Sequence, residues 1–468
     1  MVRYKEETFL AKPGYWEPFV SWAASFCLRG KKPWVNEYFN KTPKGRLVYL
    51  LEKVVIIDMG GGEPQLLARK VREFKVYCEI VPCDISREKL LGTAPKALIL
   101  SGNSSSDQNK TAARTAVDFH CLGLPVLEVS AAPSDDQKLR DFLYNTCGLS
   151  GSWTMKSFVE SSIAEIREKA GPHGKAICGL SGGIDSAVAA LLVHRAIGDR
   201  LTCIFVDHGL LRKGEKEQVI ATFREEFNMK LVAVDAGSEF LALLQGVTDP
   251  EEKRKIIGNH FIRVFEREAD KIKGVTYLVQ GTIYPDIIES GTASAAVIKS
   301  HHNVGGLPDD MKLSLIEPLK YLFKDEVRLA ALELGLPEDV VWRHPFPGPG
   351  LAVRVLGEVT PEKVSILQEA DAIVIEEIKK AGLYRKIWQA FAVLPDILSV
   401  GIKNNKRVYA HTIVLRSVTS QDAMTAACYP IPYEVLEIIS TRLTTEIPEV
   451  TRFVYDLTPK PPGTIEWE

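Results

Sequence analysis

What the sequence lacks limits the classes of protein to which it can belong. It has no run of 18 apolar residues, and its first nine residues, MVRYKEETF, are charged and contain no apolar core. We therefore predict neither a membrane span nor a secretory signal. No Cys-x-x-Cys pair occurs among its eight cysteines, which is typical of free thiols in a reducing compartment. Together these absences lead us to expect a cytoplasmic protein.

The chain also lacks an excess of charge of either sign. Its 58 Lys and Arg residues and 60 Asp and Glu residues give a net charge of −2, which provides no general reason to expect a nucleic-acid or membrane partner. Of its 468 residues, 46% are hydrophobic and 25% are charged. These are the values of an ordinary globular protein with about two to four domains. Partners must therefore be inferred from local sites.

A third absence concerns nucleotide binding, because the common phosphate loop GxxxxGK[ST] occurs nowhere in the chain. Instead, the segment SGGIDS at 181–186 lies between a predicted buried strand at 176–180 and a predicted helix at 187–197. Two glycines at such a junction turn free backbone N–H groups and the positive end of the helix dipole towards one point. The segment thus predicts a phosphate site, with a purely structural glycine-rich turn as the alternative.

Asp185 stands where the common phosphate loop has a lysine. A carboxylate beside phosphates is compatible with them only when a divalent cation lies between the two, so we predict Mg²⁺. The SGGxDS form resembles the pyrophosphatase loop of ATP-dependent adenylating enzymes, which split ATP between its α and β phosphates. The predicted ATP-binding residues of the loop are Ser181, Gly182, Gly183, Ile184, Asp185, Ser186 and Ala187.

Two further carboxylates follow another predicted strand, at 277–280. Asp286 and Glu289 are three residues apart after Pro285 and can face one way on a helical turn. With Asp185 they could hold the predicted Mg²⁺. The alternative is that each carboxylate stabilises the N-terminus of its own helix.

Residues 299–308, KSHHNVGGLP, combine positive charge with glycines. Adjacent histidines point apart and no cysteine lies nearby, so we do not interpret the segment as a metal site. We predict a flexible lid in which Lys299, together with Lys312, covers the phosphates and excludes water. The predicted catalytic residues are thus Asp185, Lys299 and Lys312.

From residue 151 to the last residue, the motifs resemble those of GMP synthetases. They are SGGIDS, PDIIES, HHNVGGLP, HPFPGPGL and KPPGTIEWE. The resemblance implies an α/β fold, with a doubly wound parallel-sheet ATP pyrophosphatase domain at 151–343 and an α+β dimerisation domain at 344–468 that forms a homodimer. It also implies a ligase that forms a carbon–nitrogen bond, aminating XMP to GMP through an adenylyl-XMP intermediate with release of AMP and pyrophosphate.

The same resemblance assigns residues outside the phosphate loop. Val206, at the end of a predicted strand, would contact the adenine of ATP through its backbone. Arg254 would contact XMP, while Lys460 would meet its phosphate or ribose and Glu466 would lie near its base. His208 follows Val206 closely in sequence, and we leave open whether it serves the nucleotide or is a capped surface histidine.

Residues 53–150 resemble the first half of a class I glutamine amidotransferase domain, which hydrolyses glutamine with a Cys-His-Glu triad. The nucleophile position corresponds to Ser130, without the glycines of the nucleophile turn, and the segment that should carry the histidine and glutamate is missing. We predict a partial flavodoxin-like remnant without glutaminase activity. The enzyme would then use ammonia, or glutamine through a separate glutaminase. Residues 1–52 match no family and form an extension of unknown role.

Two other functions remain as alternatives. The chain could be a non-catalytic nucleotide-binding homologue, although every residue that the resemblance requires for adenylation is present. It could also be another adenylating enzyme, such as an NAD synthetase or a tRNA-thiolating enzyme. The KPPGTIEWE segment and the absence of a basic RNA-binding surface argue against this second alternative.

Overall fold

The computed structural model describes residues 52–60, 62–102, 118–130, 136–290, 313–420 and 423–468, apart from the side chains of residues 289 and 290. The predicted N-terminal extension, except for Glu52, and the predicted lid with Lys299 and Lys312 lie outside these residues. The chain divides into two compact units between Ser157 and Phe158. In the described part, no helix is long and apolar enough to cross a membrane.

The first unit is built on a four-stranded parallel sheet with the order β2-β1-β3-β4. The strands are β1 (Val54–Gly60), β2 (Cys78–Pro82), β3 (Ala97–Gly102) and β4 (Val126–Val129). The helices of this unit are α1 (Pro64–Glu73), α2 (Arg87–Gly92) and α3 (Asp136–Asp141). Strand β1 pairs with β2 along one edge and with β3 along the other. Its continuous apolar run is buried, as is typical of a strand covered on both faces. This arrangement agrees with the predicted flavodoxin-like remnant.

The second unit begins with a five-stranded parallel sheet in the order β7-β6-β5-β8-β9. Its strands are β5 (Lys175–Leu180), β6 (Leu201–Asp207), β7 (Leu231–Asp235), β8 (Val275–Val279) and β9 (Ser314–Ile316). The helices around it are α4 (Met155–Ala170), α5 (Ile184–Ile197), α6 (Glu215–Ile220), α7 (Gly237–Leu243), α8 (Pro250–Ala269), α9 (Tyr284–Ser290), α10 (Lys324–Glu333) and α11 (Glu338–Val341). Helix α5 is apolar around most of its circumference, because it is covered on nearly all sides.

The C-terminal part of this unit is a mixed sheet around one long strand. The strands are β10 (Gln389–Val393), β11 (Leu398–Lys403), β12 (Lys406–Thr419), β13 (Ala427–Cys428) and β14 (Val450–Asp456). All four others pair with β12, and only β14 does so in parallel. Two helices, α12 (Pro361–Lys380) and α13 (Tyr433–Glu446), complete this α+β part.

One apolar core joins the parallel sheet to the C-terminal sheet. It includes Ile204 and Leu278 of the parallel sheet, Leu351 and Val355 of the connecting segment, and Val374 of α12. The domain division predicted at residue 343 therefore falls inside one compact unit, and it stays a prediction.

Candidate active site

The carboxyl ends of β5 and β8 form the centre of the candidate site. Strands β6 and β7 continue from β5 to one side, whereas β8 and β9 lie on the other, so the strand order reverses between β5 and β8. In open α/β sheets, ligands bind outside the carboxyl ends of the strands at such a point. The two following loops touch, since a Cβ atom on Gly281 would lie 3.1 Å from the carbonyl carbon of Asp185.

The predicted phosphate loop lies at this position. Gly182 has a positive φ of 73°, which glycine adopts without strain, and Gly183 is the N-cap of α5. The Ser181 and Ser186 hydroxyl oxygens are 3.2 Å apart, and the Ser186 hydroxyl donates to the Gly183 carbonyl at 2.9 Å. The side chains of the loop are thus held at the helix start, where backbone N–H groups are available to an anion.

The two carboxylate oxygens of Asp185, in the first turn of α5, have different surroundings. Oδ2 lies 2.5 Å from Nζ of Lys324, the first residue of α10. Oδ1 is buried and has no hydrogen-bond partner among the described residues. A buried carboxylate oxygen without a partner beside a phosphate cradle fits the requirements of a divalent cation.

The other predicted metal ligands are less clear. Asp286 Oδ2 accepts a hydrogen bond from the Ile283 N–H at 3.1 Å, so this carboxylate caps its own helix, as in the alternative interpretation. The Glu289 side chain is not described. Within the described residues, no three His, Cys, Asp or Glu side chains lie close enough to hold a metal ion. The joint role of Asp185, Asp286 and Glu289 therefore stays a prediction.

Val206 and His208 lie at the end of β6. The register of β6 with β5 ends at Phe205, while Val206 still pairs with Val234 on the other side. His208 is buried, and its Nδ1 accepts from the Leu210 N–H at 3.1 Å. Burial lowers the pKa of His208. Of the two alternatives for His208, that of a capped surface histidine is wrong, because the residue is buried and its ring lies against Phe240 and Gly350.

Arg254 lies on α8, where it meets the last residue of the chain. Its guanidinium donates to the Glu468 carbonyl. The neighbouring Lys253 is fully buried, and its Nζ lies 2.5 Å from Glu468 Oε2 and 2.8 Å from the Val355 carbonyl. Arg254 and the KPPGTIEWE segment, about 200 residues apart in sequence, are therefore brought together.

The KPPGTIEWE segment is clamped by two fully buried arginines. Arg354 binds both oxygens of Glu466, at 3.0 and 2.9 Å, and Gln389 donates to Glu466 Oε1 at 2.8 Å. Arg416 donates to the Thr464 carbonyl at 3.0 Å. Lys460 donates from Nζ to the Ala423 carbonyl at 2.8 Å. The segment is thus anchored, and Glu466 in particular already has partners for both oxygens.

Sequence reasoning missed two charged residues next to the phosphate loop. Lys324 follows Phe323, which is buried against Tyr284 with ring centroids 5.3 Å apart. A lysine in the first turn of a helix opposes the helix dipole. This unfavourable position was the feature of the sequence that could have identified Lys324. Arg343 lies in the segment that we interpreted only as a domain boundary, yet its Nη1 donates to the Gly182 carbonyl at 3.3 Å.

In the first unit, Ser130 is exposed just after β4. His120 Nε2 instead lies 3.0 Å from Glu128 Oε1, with both side chains more than half exposed. Among the residues that the structure describes, no hydrogen bond joins Ser130 to a histidine. Activation of a serine requires an adjacent base, and the described residues show none bonded to Ser130.

Comparisons with known proteins identify the families to which this chain is similar. A family model described as "NAD synthase" matches residues 155–267, and one described as "GMP synthase C terminal domain" matches residues 376–467. A solved structure of an NH3-dependent NAD synthetase from Campylobacter jejuni has a TM-score of 0.32 at 17% identity, covering 40% of this chain and 76% of that chain. That structural likeness is too weak to carry an argument. The predicted fold class is confirmed by the family models and the observed topology.

Two relatives are similar over most of this chain. Both are named "GMP synthase [glutamine-hydrolyzing]", one from Carboxydothermus hydrogenoformans at 49% identity and one from Symbiobacterium thermophilum at 47%. The alignments cover 90% and 89% of this chain and 100% and 99% of the relatives. The predicted resemblance is thus confirmed, and the chain belongs to the GMP synthase family.

Proposed function

We propose that this protein aminates XMP to GMP with ATP, and that ammonia is its nitrogen source. GMP synthases are ligases that form a carbon–nitrogen bond, and the alternatives of a non-catalytic homologue or an NAD synthetase are not favoured by the similarity to GMP synthases. The observation that carries the proposal is the SGGIDS loop at the switch point of the sheet, with Asp185 Oδ1 at its helix start lacking a hydrogen-bond partner among the described residues.

In this proposal the loop binds the β and γ phosphates of ATP. The N–H groups at the start of α5 and the hydroxyls of Ser181 and Ser186 donate to phosphate oxygens. Asp185 would hold Mg²⁺, whose positive charge offsets that of the phosphates. The backbone of Val206 would contact adenine. The pairing of β6 with β5 ends at Phe205, so Val206 lies beyond the last residue paired with β5, which supports this role. Lys299 and Lys312 would close over the leaving pyrophosphate.

The XMP side of the proposal involves Arg254, Lys460 and Glu466. The contact between Arg254 and Glu468 supports a common role, because it joins α8 to the segment that carries the other two residues. Glu466 would act near the base while held by Arg354. Holding ATP and XMP in adjacent, fixed positions lets the O2 oxygen of XMP attack the α-phosphorus, after which ammonia replaces AMP at C2.

The shortened amidotransferase-like segment of the first unit supports ammonia as the proposed nitrogen source. The alignment with the Carboxydothermus relative spans 510 positions, but 90% of 468 residues is about 420, so about 90 positions of that relative have no counterpart in this chain. A deletion of this size matches the predicted loss of the segment with the triad histidine and glutamate. Together with the isolated Ser130, it supports ammonia as the nitrogen source, supplied directly or by a separate glutaminase.

The test measures AMP and pyrophosphate formation from XMP, ATP and magnesium. We expect turnover with ammonium chloride, and at least a hundredfold less with glutamine that has been freed of ammonium. Equal rates with the two nitrogen sources would contradict the loss of glutaminase activity. No AMP formation with ammonium, at any XMP concentration, would contradict the synthase activity itself.

We also propose the four-part organisation of the chain: residues 1–52, 53–150, 151–343 and 344–468. The family models at 155–267 and 376–467 support the last two parts. A homodimer through the C-terminal part and a cytoplasmic location belong to the same proposal. Seven of the eight cysteines lie in the described residues and all seven are free thiols, which supports the cytoplasmic location.

A further inference from the structure

Behind the phosphate loop lies a buried ion pair that no part of the proposed mechanism uses. Arg343 Nη2 is 2.5 Å from Glu215 Oε1, and their side chains are only 15% and 2% exposed. The other oxygen of Glu215 accepts from the Arg212 N–H at 3.0 Å. A buried pair of this kind holds its geometry, because separating the charges would leave one of them uncompensated.

The arginine of this pair also binds the phosphate loop. Its Nη1 donates to the Gly182 carbonyl at 3.3 Å. In a trans peptide, the carbonyl and the next N–H lie in one plane and point in opposite directions. When Arg343 holds the Gly182 carbonyl on the rear side of the loop, the Gly183 N–H must face the front. There its one hydrogen-bond partner among the described residues is Ser181 Oγ, at a long distance of 3.4 Å, so this N–H can turn to a phosphate oxygen.

Gly182 allows the ion pair to approach this closely. A Cβ atom at this position would lie 2.9 Å from Glu215 Oε1 and 3.4 Å from Arg343 Nη1. The positive φ of 73° already favours glycine. The close approach adds a second reason for glycine, which arises only when Glu215 and Arg343 are in place.

We propose that Arg343 is a positioning residue that fixes the Gly182–Gly183 peptide so that the Gly183 N–H faces the pyrophosphate part of ATP. Glu215 holds the guanidinium in place. Without Arg343, the peptide can rotate and direct a carbonyl oxygen at the phosphates, which repel it. The inference rests on the proposed function, since it concerns the nucleotide that this loop would bind.

The test compares Arg343→Met with the double variant Arg343→Met/Glu215→Met in the full-length protein. We measure the affinity for magnesium pyrophosphate by calorimetry, the KM values for ATP and XMP, and the urea midpoint. Arg343→Met should weaken pyrophosphate binding and raise the KM for ATP, each about tenfold, the usual cost of losing a hydrogen bond to a charged donor. The KM for XMP should stay within about twofold of its normal value.

The double variant separates positioning from stability. Arg343→Met leaves the Glu215 carboxylate buried and unpaired, which lowers the urea midpoint, whereas removing both charges should restore it. Pyrophosphate affinity should remain weak in the double variant, because the Gly182 carbonyl still has no donor. If pyrophosphate affinity recovers together with stability, Arg343 is merely structural and the inference is overturned. If Arg343→Met alone does not fold, the double variant decides.

Arg385→Met is the matched control. The Arg385 side chain is 54% exposed, and its guanidinium lies 4.0 Å from the ring centre of Trp342, the residue that precedes Arg343. Arg385→Met should leave the affinity for magnesium pyrophosphate unchanged. A loss of this affinity equal to that of Arg343→Met would contradict a specific role for Arg343. Because the calorimetry needs no turnover, a protein that binds pyrophosphate but makes no GMP would refute the proposed function and still test this inference.

Discussion

At the scale of single residues, the described part of this protein buries several charged side chains together with their partners. Arg354 and Arg416 are fully buried, and each binds an acceptor of the KPPGTIEWE segment. The buried Oδ1 of Asp185 differs from them because it has no partner among the described residues. Unpaired buried acceptors are costly unless a ligand or ion completes them. This contrast between paired and unpaired buried groups is the basis of the first two predictions, which concern Asp185 and Glu466.

Asp185→Asn should abolish GMP formation while the protein stays folded. The neutral amide keeps the shape of the side chain but removes the charge that a divalent cation requires. We expect turnover with ammonium to fall at least about a hundredfold, as when one electrostatic group of an active site is removed. Asp199→Asn, at an exposed position after α5, is the control. Normal turnover of Asp185→Asn would refute the assigned role of this residue.

Glu466→Gln should destabilise the second unit. The substitution removes the charge from the pair that Glu466 forms with the fully buried Arg354. Arg354 Nη1 already has no hydrogen-bond partner among the described residues, so little else can compensate for the loss. We expect the free energy of unfolding to fall by about 2 kcal/mol, measured by urea denaturation. The exposed Glu437→Gln serves as control, and equal midpoints for the two variants would contradict the structural role of this pair.

At the scale of elements, one contact between β10 and the segment that carries His344 depends on a neutral imidazole. His344 Nδ1 accepts from the Ala390 N–H of β10 at 3.2 Å, its Nε2 lies 2.8 Å from the Tyr384 carbonyl, and its ring stacks on Tyr384 at 3.9 Å. Protonation of Nδ1 would break the bond to β10. Burial lowers the pKa of His344 to about 4 from an ordinary value of 6.5.

This pKa predicts how stability changes with pH. Between pH 6.5 and 4 the unfolded chain binds a proton at His344 that the folded chain does not, so the free energy of unfolding decreases as the pH falls through this range. Above pH 6.5 the effect is absent. His344→Gln should reduce the loss between pH 7 and pH 5 by about 1–2 kcal/mol. Exposed His173→Gln is the control, and an unchanged pH dependence of His344→Gln would contradict the prediction.

Helices and strands with a clear local sequence pattern could be predicted, and those without one could not. Helix α12 (Pro361–Lys380) has clear local boundary signals, because Thr360 caps it and Pro361 opens it. Except for β9, the strands of the parallel sheets were predictable from their apolar runs. Strand β11, LSVGIK, and the three-residue β9 were missed. One contains a glycine and exposed residues and the other is very short, so both depend on a neighbouring strand that no local pattern reveals.

At the scale of the whole molecule, the hairpin of β11 and β12 offers an exposed apolar surface. Ile402 and Leu398 of β11 are 78% and 55% exposed, and Tyr409 of β12 is 69% exposed. Residues 398, 400 and 402 share one face of the strand, and Val400 is paired with Tyr409. Apolar side chains grouped on an exposed face are typical of a protein–protein contact, which supports the proposed homodimer.

Ile402→Glu combined with Tyr409→Glu should convert the proposed dimer into a monomer. Two carboxylates in an apolar contact would have to be buried without partners, which is strongly unfavourable. Sedimentation equilibrium measures the mass. Leu243→Glu, which replaces a 46% exposed leucine on α7, should leave the mass unchanged. A native protein that sediments as a monomer, or a double variant that remains a dimer, would refute this surface as the contact.

The sequence alone determined the parts of this protein that depend on neighbouring residues. Apolar runs marked the strands of both parallel sheets except β9, and SGGIDS marked a phosphate loop at a strand–helix junction. Tertiary structure decided what surrounds that loop: Arg343 is 161 residues from Gly182, Lys324 is 139 from Asp185, and Arg354 is 112 from Glu466. Such contacts arise when packed layers bring distant segments together. No periodicity or motif in a single sequence records them.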